Sequence, residues 1–339
     1  MSLSLDVYRG KTVLVTGATG FTGQVVTRKL AQHGAVVRAI ARPSSDISGL
    51  EDLDITWYRG EVFDPETVQS ACKNVEYIFH LAAAFREVKD NDEGYARVHV
   101  ESTKLLVKEI ENDPSFQCFV HVSTVGVHGH IEAEQADENY RFSPGDGYQR
   151  TKLEGEEWVT TYCAEHNVPF SVVRPAPIFG PGDMRLLKLF RMVSKGYLLI
   201  LGQGKCFYHL VHVDDLSNVI LLCGITPAAR SEVFIAAGDE YITLVDICNT
   251  IAGKLGLKKP RVIRLPLFPF YLASDICEFV CKPLGIQPPI YRRRVDFYTK
   301  DRKFTNEKSR RLLEYEYQYD NDSGLGETAA WYESQNLLK

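Results

Sequence analysis

Tyr148 and Lys152 stand four residues apart in a helical pattern, which puts a phenol and an ammonium on one helix face within mutual reach. A phenol with its ordinary pKa of ~10 is a poor base at neutral pH, and a neighbouring ammonium favours the phenolate. Bringing that pKa to ~7 takes about 4 kcal/mol of differential stabilisation, within reach of a water-excluded cleft. Such a pair can exchange a proton with a substrate hydroxyl or carbonyl. Alone, Tyr-x-x-x-Lys is also an ordinary surface-helix pair, so its weight depends on what lies upstream. There the chain reads Val13-Leu-Val-Thr-Gly17-Ala-Thr-Gly20-Phe-Thr-Gly23, at the end of a first strand and the opening of a first helix. In that setting Gly17 permits a tight turn, Gly20 lets the backbone approach a pyrophosphate, and Gly23 lets helix and strand pack closely. With Thr19, Phe21 and Thr22 they form a candidate dinucleotide cradle at the positive end of a helix dipole. No Gly-Lys-Ser/Thr follows, which excludes a P-loop.

The end of the second strand chooses between the two nicotinamide dinucleotides: a carboxylate holds a free ribose 2′-hydroxyl, an arginine accepts a 2′-phosphate. The segment is Ala41-Arg42-Pro43-Ser44-Ser45, with no carboxylate before Asp46. Arg42 can meet a phosphate, with Ser44 and Ser45 as donors, or can be a solvated surface arginine. NADP(H) is therefore expected over NAD(H), with NAD as the alternative.

These residues need a scaffold. Thr12–Thr16, Val36–Ala41, Ile55–Tyr58, Val75–His80, Phe116–Val122 and Phe170–Arg174 read as strands, with helical patterns at Phe21–His33, Pro65–Cys72, Glu93–Glu111 and Tyr148–His166 between them. Near-continuous apolar strands alternating with helices predict a parallel sheet covered on both faces, a Rossmann-type doubly wound α/β fold. After Arg174 the rhythm breaks at Pro175, Pro177, Gly180, Pro181 and Gly182. We therefore expect a dinucleotide-binding domain over 1–174, with 207–236 returning to it, and a smaller substrate-binding lobe made of 175–206 and 237–339.

Composition fits that class. Of 339 residues 45% are apolar and 24% charged, which excludes wholesale disorder, collagen-like repeats and a coiled-coil rod. Net charge is −5, and no basic block exceeds Arg292-Arg293-Arg294, so a nucleic-acid surface is not expected. Eight scattered cysteines form no C-x-x-C pair, and Cys277 and Cys281 have no histidine nearby to complete a zinc site, so no metal is expected. Reduced thiols and a start without signal-peptide features point to a soluble cytoplasmic protein. Leu265–Cys281, the most apolar late stretch, contains Asp275 and Glu278 and is short for a spanning helix.

Thr16-Gly-Ala-Thr-Gly-Phe-Thr-Gly23, His80-Leu-Ala-Ala-Ala84, Tyr148-Gln-Arg-Thr-Lys152, Arg174-Pro-Ala-Pro-Ile-Phe-Gly-Pro-Gly182 and Val211-His-Val-Asp-Asp-Leu216 together resemble the extended short-chain dehydrogenase/reductase family, also described as the NAD-dependent epimerase/dehydratase superfamily. They occur in the family's order and span about residues 11–255. The resemblance implies that Glu61 and Val62 contact adenine, that Leu81, Ala82 and Ala83 flank the cofactor, and that Pro175 to Ile178 lie beside the nicotinamide. It implies that Lys152 holds the nicotinamide ribose while Tyr148 exchanges the proton. It also implies a third hydroxyl at the end of the fifth strand, first Thr124 and second Ser123. One departure stands out: Tyr95-Ala-Arg-Val-His99-Val-Glu-Ser102-Thr103 has His99 where the family has asparagine, and Ser102 where it has glycine. His99 is then either a relay donor or a packed core histidine. His128 and His130 are candidates for substrate contact.

The family contains sugar-nucleotide epimerases and dehydratases as well as hydroxysteroid dehydrogenases. The apolar segment Arg264–Cys281, followed by Lys282 and Arg292 to Arg294, is more similar to the 3β-hydroxysteroid/sterol dehydrogenase branch. This implies an oxidoreductase interconverting a secondary alcohol and a ketone on a hydrophobic, sterol-like small molecule. Alternatively the segment only covers a core and the chain is a nucleotide-sugar epimerase or dehydratase, with Arg185, Arg191 and Arg292 to Arg294 as diphosphate candidates. The basic flank suits a peripheral membrane contact. By analogy, helices Glu93–Glu111 and Tyr148–His166 pair in a homodimer.

Overall fold

The computed structural model describes residues 4–84, 92–132, 134–281, 295 and 299–338. Seven strands form one parallel sheet: β1 (Thr12–Thr16), β2 (Val36–Ala41), β3 (Ile55–Arg59), β4 (Tyr77–His80), β5 (Cys118–Val122), β6 (Phe170–Pro175) and β11 (Glu232–Ala236). Their order is β11-β6-β5-β4-β1-β2-β3, so the winding reverses between β1 and β4. Every residue of β4, β5 and β6 is buried, because helices cover both faces. On one face α1 (Phe21–Gln32) and α7 (Val213–Ile225) pack Val26, Leu30, Leu216 and Val219 against Val13 and Val15. On the other α2 (Pro65–Cys72), α4 (Ser102–Ile110) and α5 (Gly147–Glu165) pack Val68, Leu106 and Val159 against Leu14, Ile78 and Phe119. Alternate β1 side chains therefore serve opposite cores, as period-two alternation requires.

The helix predicted over Glu93–Glu111 is not continuous. It runs as α3 (Asp92–Ala96), a π-helical turn over Arg97–Glu101, and α4. The wide turn carries His99, fully buried.

Beyond β6 the elements are short. β7 (Ile178–Phe179) pairs in parallel with β10 (Val211–His212), β9 (Phe207–His209) antiparallel with β12 (Tyr241–Thr243), and β8 (Tyr197–Leu201) in parallel with β13 (Arg261–Leu265). With α6 (Leu187–Ser194), α8 (Leu244–Lys254) and the helix Asn321–Ser334, they enclose a third core around Phe190, Ile200, Ile251 and Tyr332. Helix α9 (Leu267–Cys281) lies outside it. The Val211–Leu216 motif anchors the C-terminal segment to α7. Its buried Asp215 carboxylate accepts from the Tyr315 hydroxyl at 2.6 Å and from the Gln318 and Tyr319 amides at 2.9 and 3.1 Å.

The turn between β1 and α1 sits at the point where the winding reverses. Gly17 has φ +72°, and a Cβ there would stand 2.8 Å from the Ala82 nitrogen. A Cβ on Gly23 would stand 2.0 Å from the Gly17 carbonyl oxygen, so helix and strand approach as closely as hydrogen allows. Gly23→Ala must push α1 off the sheet. It is expected to lower stability by about 2–4 kcal/mol in urea denaturation, and an unchanged midpoint would show that α1 shifts freely.

Candidate active site

The cradle is built from the turn upward. Gly20 caps α1 without a side-chain hydrogen bond, which leaves the first-turn amides open. Beside it lies a polar hollow of about 450 Å³ bounded by Thr19, Gln24, Arg42, Ser44, Ser45, Asp46, Ser48 and Gly49. Its outer wall is fixed by Arg59, which donates to the Pro43 and Ser45 carbonyls at 2.7 and 3.1 Å. Arg42 is exposed at the end of β2. The Asp46 carboxylate in the same wall accepts from the Ser48 amide at 2.9 Å, which holds its pKa below the usual carboxylate value. A glycine turn, an open helix N-terminus and a polar hollow with a cation at the strand end fit a dinucleotide. Phe21, Thr22 and Glu61 are half-buried, Val62 and Ala82 buried, Leu81 half-buried and Ala83 exposed. Pro175 ends β6, buried, and Ile178 opens β7, half-buried.

Helix α5 presents the proton-handling pair. Asp146 caps it by accepting from the Gln149 amide, so Tyr148 lies in the first turn and Lys152 one turn on. Tyr148 is half-buried, and burial pushes its phenol up to about 12, with Arg185 drawing it back and Tyr95 raising it further. Lys152 is 2% exposed and donates to the Val122 carbonyl at 2.8 Å. Burial brings its ammonium down to about 8, against the pull of Glu156. At the end of β5, Thr124 is half-buried, and its hydroxyl oxygen accepts from the Gly126 amide at 3.0 Å, leaving its proton to donate. Ser123 is 4% exposed, and its hydroxyl has no partner among the described residues.

His99 resolves as a structural residue. Its Nε2 accepts from the Ala84 amide at 3.1 Å, which leaves Nδ1 to donate to the Thr151 hydroxyl at 2.8 Å, and Thr151 donates onward to the Gly147 carbonyl at 2.8 Å. The ring thus ties the π turn to the start of α5 and backs Tyr148, edge to face at 5.2 Å. Tyr95 belongs to the site although no motif marks it. It stacks on His99 at 5.8 Å and meets Tyr148 at 6.2 Å, and its spacing of four from His99 is the signal that could have found it. His80 binds the Thr16 hydroxyl through Nδ1 at 2.7 Å and the Thr103 hydroxyl through Nε2 at 2.9 Å. His121, 5.5 Å from His80, is fully buried with neither nitrogen bonded among the described residues.

His128 corrects its expected role. It is fully buried, with Nδ1 at 3.2 Å from the Arg141 carbonyl and Nε2 at 3.1 Å from the Arg174 guanidinium, so it has no free edge for a substrate. Arg174, itself buried, donates through Nε to Glu156 at 2.9 Å and through NH1 to the Glu138 carbonyl at 2.7 Å. His130 is half-buried just beyond. Arg191 is committed elsewhere, donating to the Leu337 carbonyl at 2.7 Å. Arg292 to Arg294 lie outside the described residues. Arg185 does reach the cleft, its guanidinium 5.4 Å from the centre of the Phe21 ring.

A glycine turn at the reversal of a parallel sheet, with a Tyr–Lys pair on a helix beside the strand ends, defines a nucleotide-binding α/β enzyme fold. Residues 13–234 match the NAD dependent epimerase/dehydratase family, and the chain belongs to it. It is an enzyme of the NAD(P)-dependent oxidoreductase type. It is 30% identical over 258 residues to sterol demethylase protein B of Methylococcus capsulatus, covering 74% of this chain and 76% of that protein. It is 25% identical over 338 residues to a 3-beta-hydroxysteroid dehydrogenase of Mycolicibacterium neoaurum, covering 94% and 91%. The crystal structure of gox2253 superposes with a TM-score of 0.82 at 26% identity, over 97% of this chain and 100% of that one.

The three imidazoles around Lys152 make a testable electrostatic unit. Burial first, then the Lys152 charge, lowers His80 to about 3, His99 to about 2 and His121 well below its ordinary value. The unfolded chain takes up protons on these rings below pH ~6.5 while the folded chain does not, so stability falls as pH falls through that range. Three such groups give a slope of up to about 4 kcal/mol per pH unit. Urea midpoints measured from pH 7 to pH 5 should drop accordingly; a flat profile would mean the rings titrate within the fold.

Proposed function

We propose that the chain interconverts a secondary alcohol and a ketone on a hydrophobic, sterol-like substrate, with NADP(H) preferred over NAD(H). The observation that carries this is Tyr148 above Lys152 on α5, together with the half-buried Thr124 hydroxyl at the end of β5. A nicotinamide cofactor bound in the cradle supplies a hydride acceptor or donor. Tyr148 exchanges the proton of the substrate oxygen, and Thr124 donates a hydrogen bond to that oxygen, with Ser123 as second choice. Lys152 holds the nicotinamide ribose, while the Arg185 charge works against the burial that raises the Tyr148 phenol. Gly17, Thr19, Gly20, Phe21, Thr22 and Gly23 cradle the pyrophosphate, and Arg42 takes the 2′-phosphate. Glu61 and Val62 meet adenine, while Leu81, Ala82, Ala83, Pro175 and Ile178 line the nicotinamide side.

Residues 175–206 and 237–339 would form the substrate lobe, on the support of a third apolar core drawn mostly from them; Tyr208 and Leu210 of 207–236 join that core, while Phe304, Leu313 and Tyr317 pack against the sheet. The names of the sterol and hydroxysteroid relatives favour a lipid alcohol. A second reading, a nucleotide-sugar epimerase or dehydratase, draws on the family's own description and on Arg185 in the cleft.

Delivery of a lipid would use α9. Phe268 and Phe279 are 75% and 82% exposed, and Leu272 and Ile276 lie between them on the same helical face. The neighbouring Lys258, Lys259, Arg261 and Arg264 are exposed and make no ion pair among the described residues, so the charge suits an anionic bilayer surface. Among the described residues no helix is long and apolar enough to cross a membrane. All eight cysteines are free, consistent with a proposed cytoplasmic location. A homodimer through α4 and α5 completes the proposal.

Nicotinamide absorbance with NADP⁺ and NAD⁺ against 3β-hydroxysteroids and nucleotide sugars tests the chemistry, and the cofactor ratio tests Arg42. Tyr148→Phe should lower turnover about 10²–10⁴-fold with cofactor affinity nearly intact; retained turnover sinks the mechanism. Conversion of a nucleotide sugar without net reduction moves the chain to the second reading. Flotation with phosphatidylcholine vesicles containing phosphatidylglycerol should retain the wild type and lose Phe268→Ser/Phe279→Ser; equal recovery of both disproves the bilayer contact.

A further inference from the structure

Tyr148, Lys152 and Glu156 follow one another at intervals of four on α5, so a carboxylate stands on the same helix face one turn beyond the lysine. Lys152 and Glu156 are each 2% exposed. A Cβ on Gly155 would run into the His99 carbonyl and stand 3.9 Å from the His121 ring, so α5 presses on the π turn and on β5 here. The titratable and charged groups gathered around Lys152 are His80 from β4, His121 from β5, His99 from the π turn, and Tyr148 and Glu156 from α5 itself. Arg174 of β6 stands behind Glu156. Burial keeps the three imidazoles neutral and the Tyr148 phenol protonated. Glu156 is the member of this group that brings negative charge to the lysine, and it works against the burial that brings the ammonium down.

The pairing with Arg174 leaves that charge partly uncancelled. Nε and NH2 of Arg174 both donate to Oε1, whereas a two-oxygen fork would engage each carboxylate oxygen once. Oε2 is buried and accepts from nothing among the described residues. Lys152 donates to the Val122 carbonyl, a neutral acceptor that supplies no countercharge. A buried ammonium without one tends to give up its proton. We infer that Glu156 is a positioning residue for the proposed reaction: through the oxygen that Arg174 leaves open, it keeps Lys152 an ammonium with donors to offer the nicotinamide ribose. The inference rests on the reading of Lys152 given above.

The test reads the lysine directly. The full chain is labelled with lysine isotopically enriched at Cε, Lys152→Arg identifies the Lys152 resonance, and its chemical shift is followed against pH. Lys152 in the wild type should titrate at about 8. In Glu156→Gln, which keeps the shape and loses the charge, it should titrate lower by about one pH unit or more. Glu156→Asp keeps the charge and should lie nearer the wild type. Glu156→Gln/Arg174→Gln strands no guanidinium, should shift in the same direction, and carries the test if the single amide variant does not fold. A merely structural role would lower the urea midpoint and leave the Lys152 titration in place. The alkaline fall of kcat/KM for NADP⁺ with a 3β-hydroxysteroid should move together with the Lys152 midpoint. An unmoved midpoint in the amide variants, or an unmoved alkaline limb beside a moved midpoint, overturns the inference. A wild type without turnover overturns the functional reading instead, and the titration still decides the charge on Lys152.

Discussion

The carbonyl of Gly17 lies against the backbone of α1 at a distance that only a hydrogen on residue 23 permits. From that contact the rest of the site follows by adjacency. The same turn presses on the Leu81 and Ala82 backbone, and Thr16, the last residue of β1, binds His80 at the end of β4. His80 reaches α4 through Thr103, whose hydroxyl donates to the His99 carbonyl. His99 reaches α5 through Thr151, one residue before Lys152. A dinucleotide loop and a proton-handling helix that are far apart in sequence are thus joined by consecutive short polar links beneath the sheet's edge. Buried polar groups are expensive unless bonded, so each link that is satisfied also fixes the next.

The charged interior works on the same principle at larger scale. Arg174 and Glu156 sit buried together, with His128 and the Glu138 carbonyl taking further guanidinium hydrogens. A pair of this kind contributes little net stability compared with apolar packing, but losing one partner strands the other. Its effect is positional: β6, α5 and the segment after β5 are held at fixed relative heights, and the pair Tyr148–Lys152 rides on the middle one.

Much of this was legible in the sequence, for physical reasons. The strands of the parallel sheet are buried on both faces and so appear as unbroken apolar runs, and the glycine spacing carried the turn. The π turn was not legible: one extra residue in a helix leaves the apolar rhythm of Glu93–Glu111 nearly intact. His128 was misplaced because its position after β5 suggested the cleft, whereas its direction is decided by Arg174, 46 residues later. Asp215 showed only as part of a motif, since its partners Tyr315, Gln318 and Tyr319 are a hundred residues away. Arg185 was visible as a charge, but its place beside Phe21 depends on bonds to Asp183 and to the Ile178 carbonyl that local composition does not specify.

The π turn at Arg97–Glu101 has a geometric result of its own. Each residue in such a turn advances the chain by a smaller angle than in an α-helix, so the segments on either side differ in rotational phase. Tyr95 and His99 back the Tyr148 ring, while Ser102 and Thr103 reach His80. The irregular turn acts as a phase shifter between α3 and α4 within one unbroken helical run.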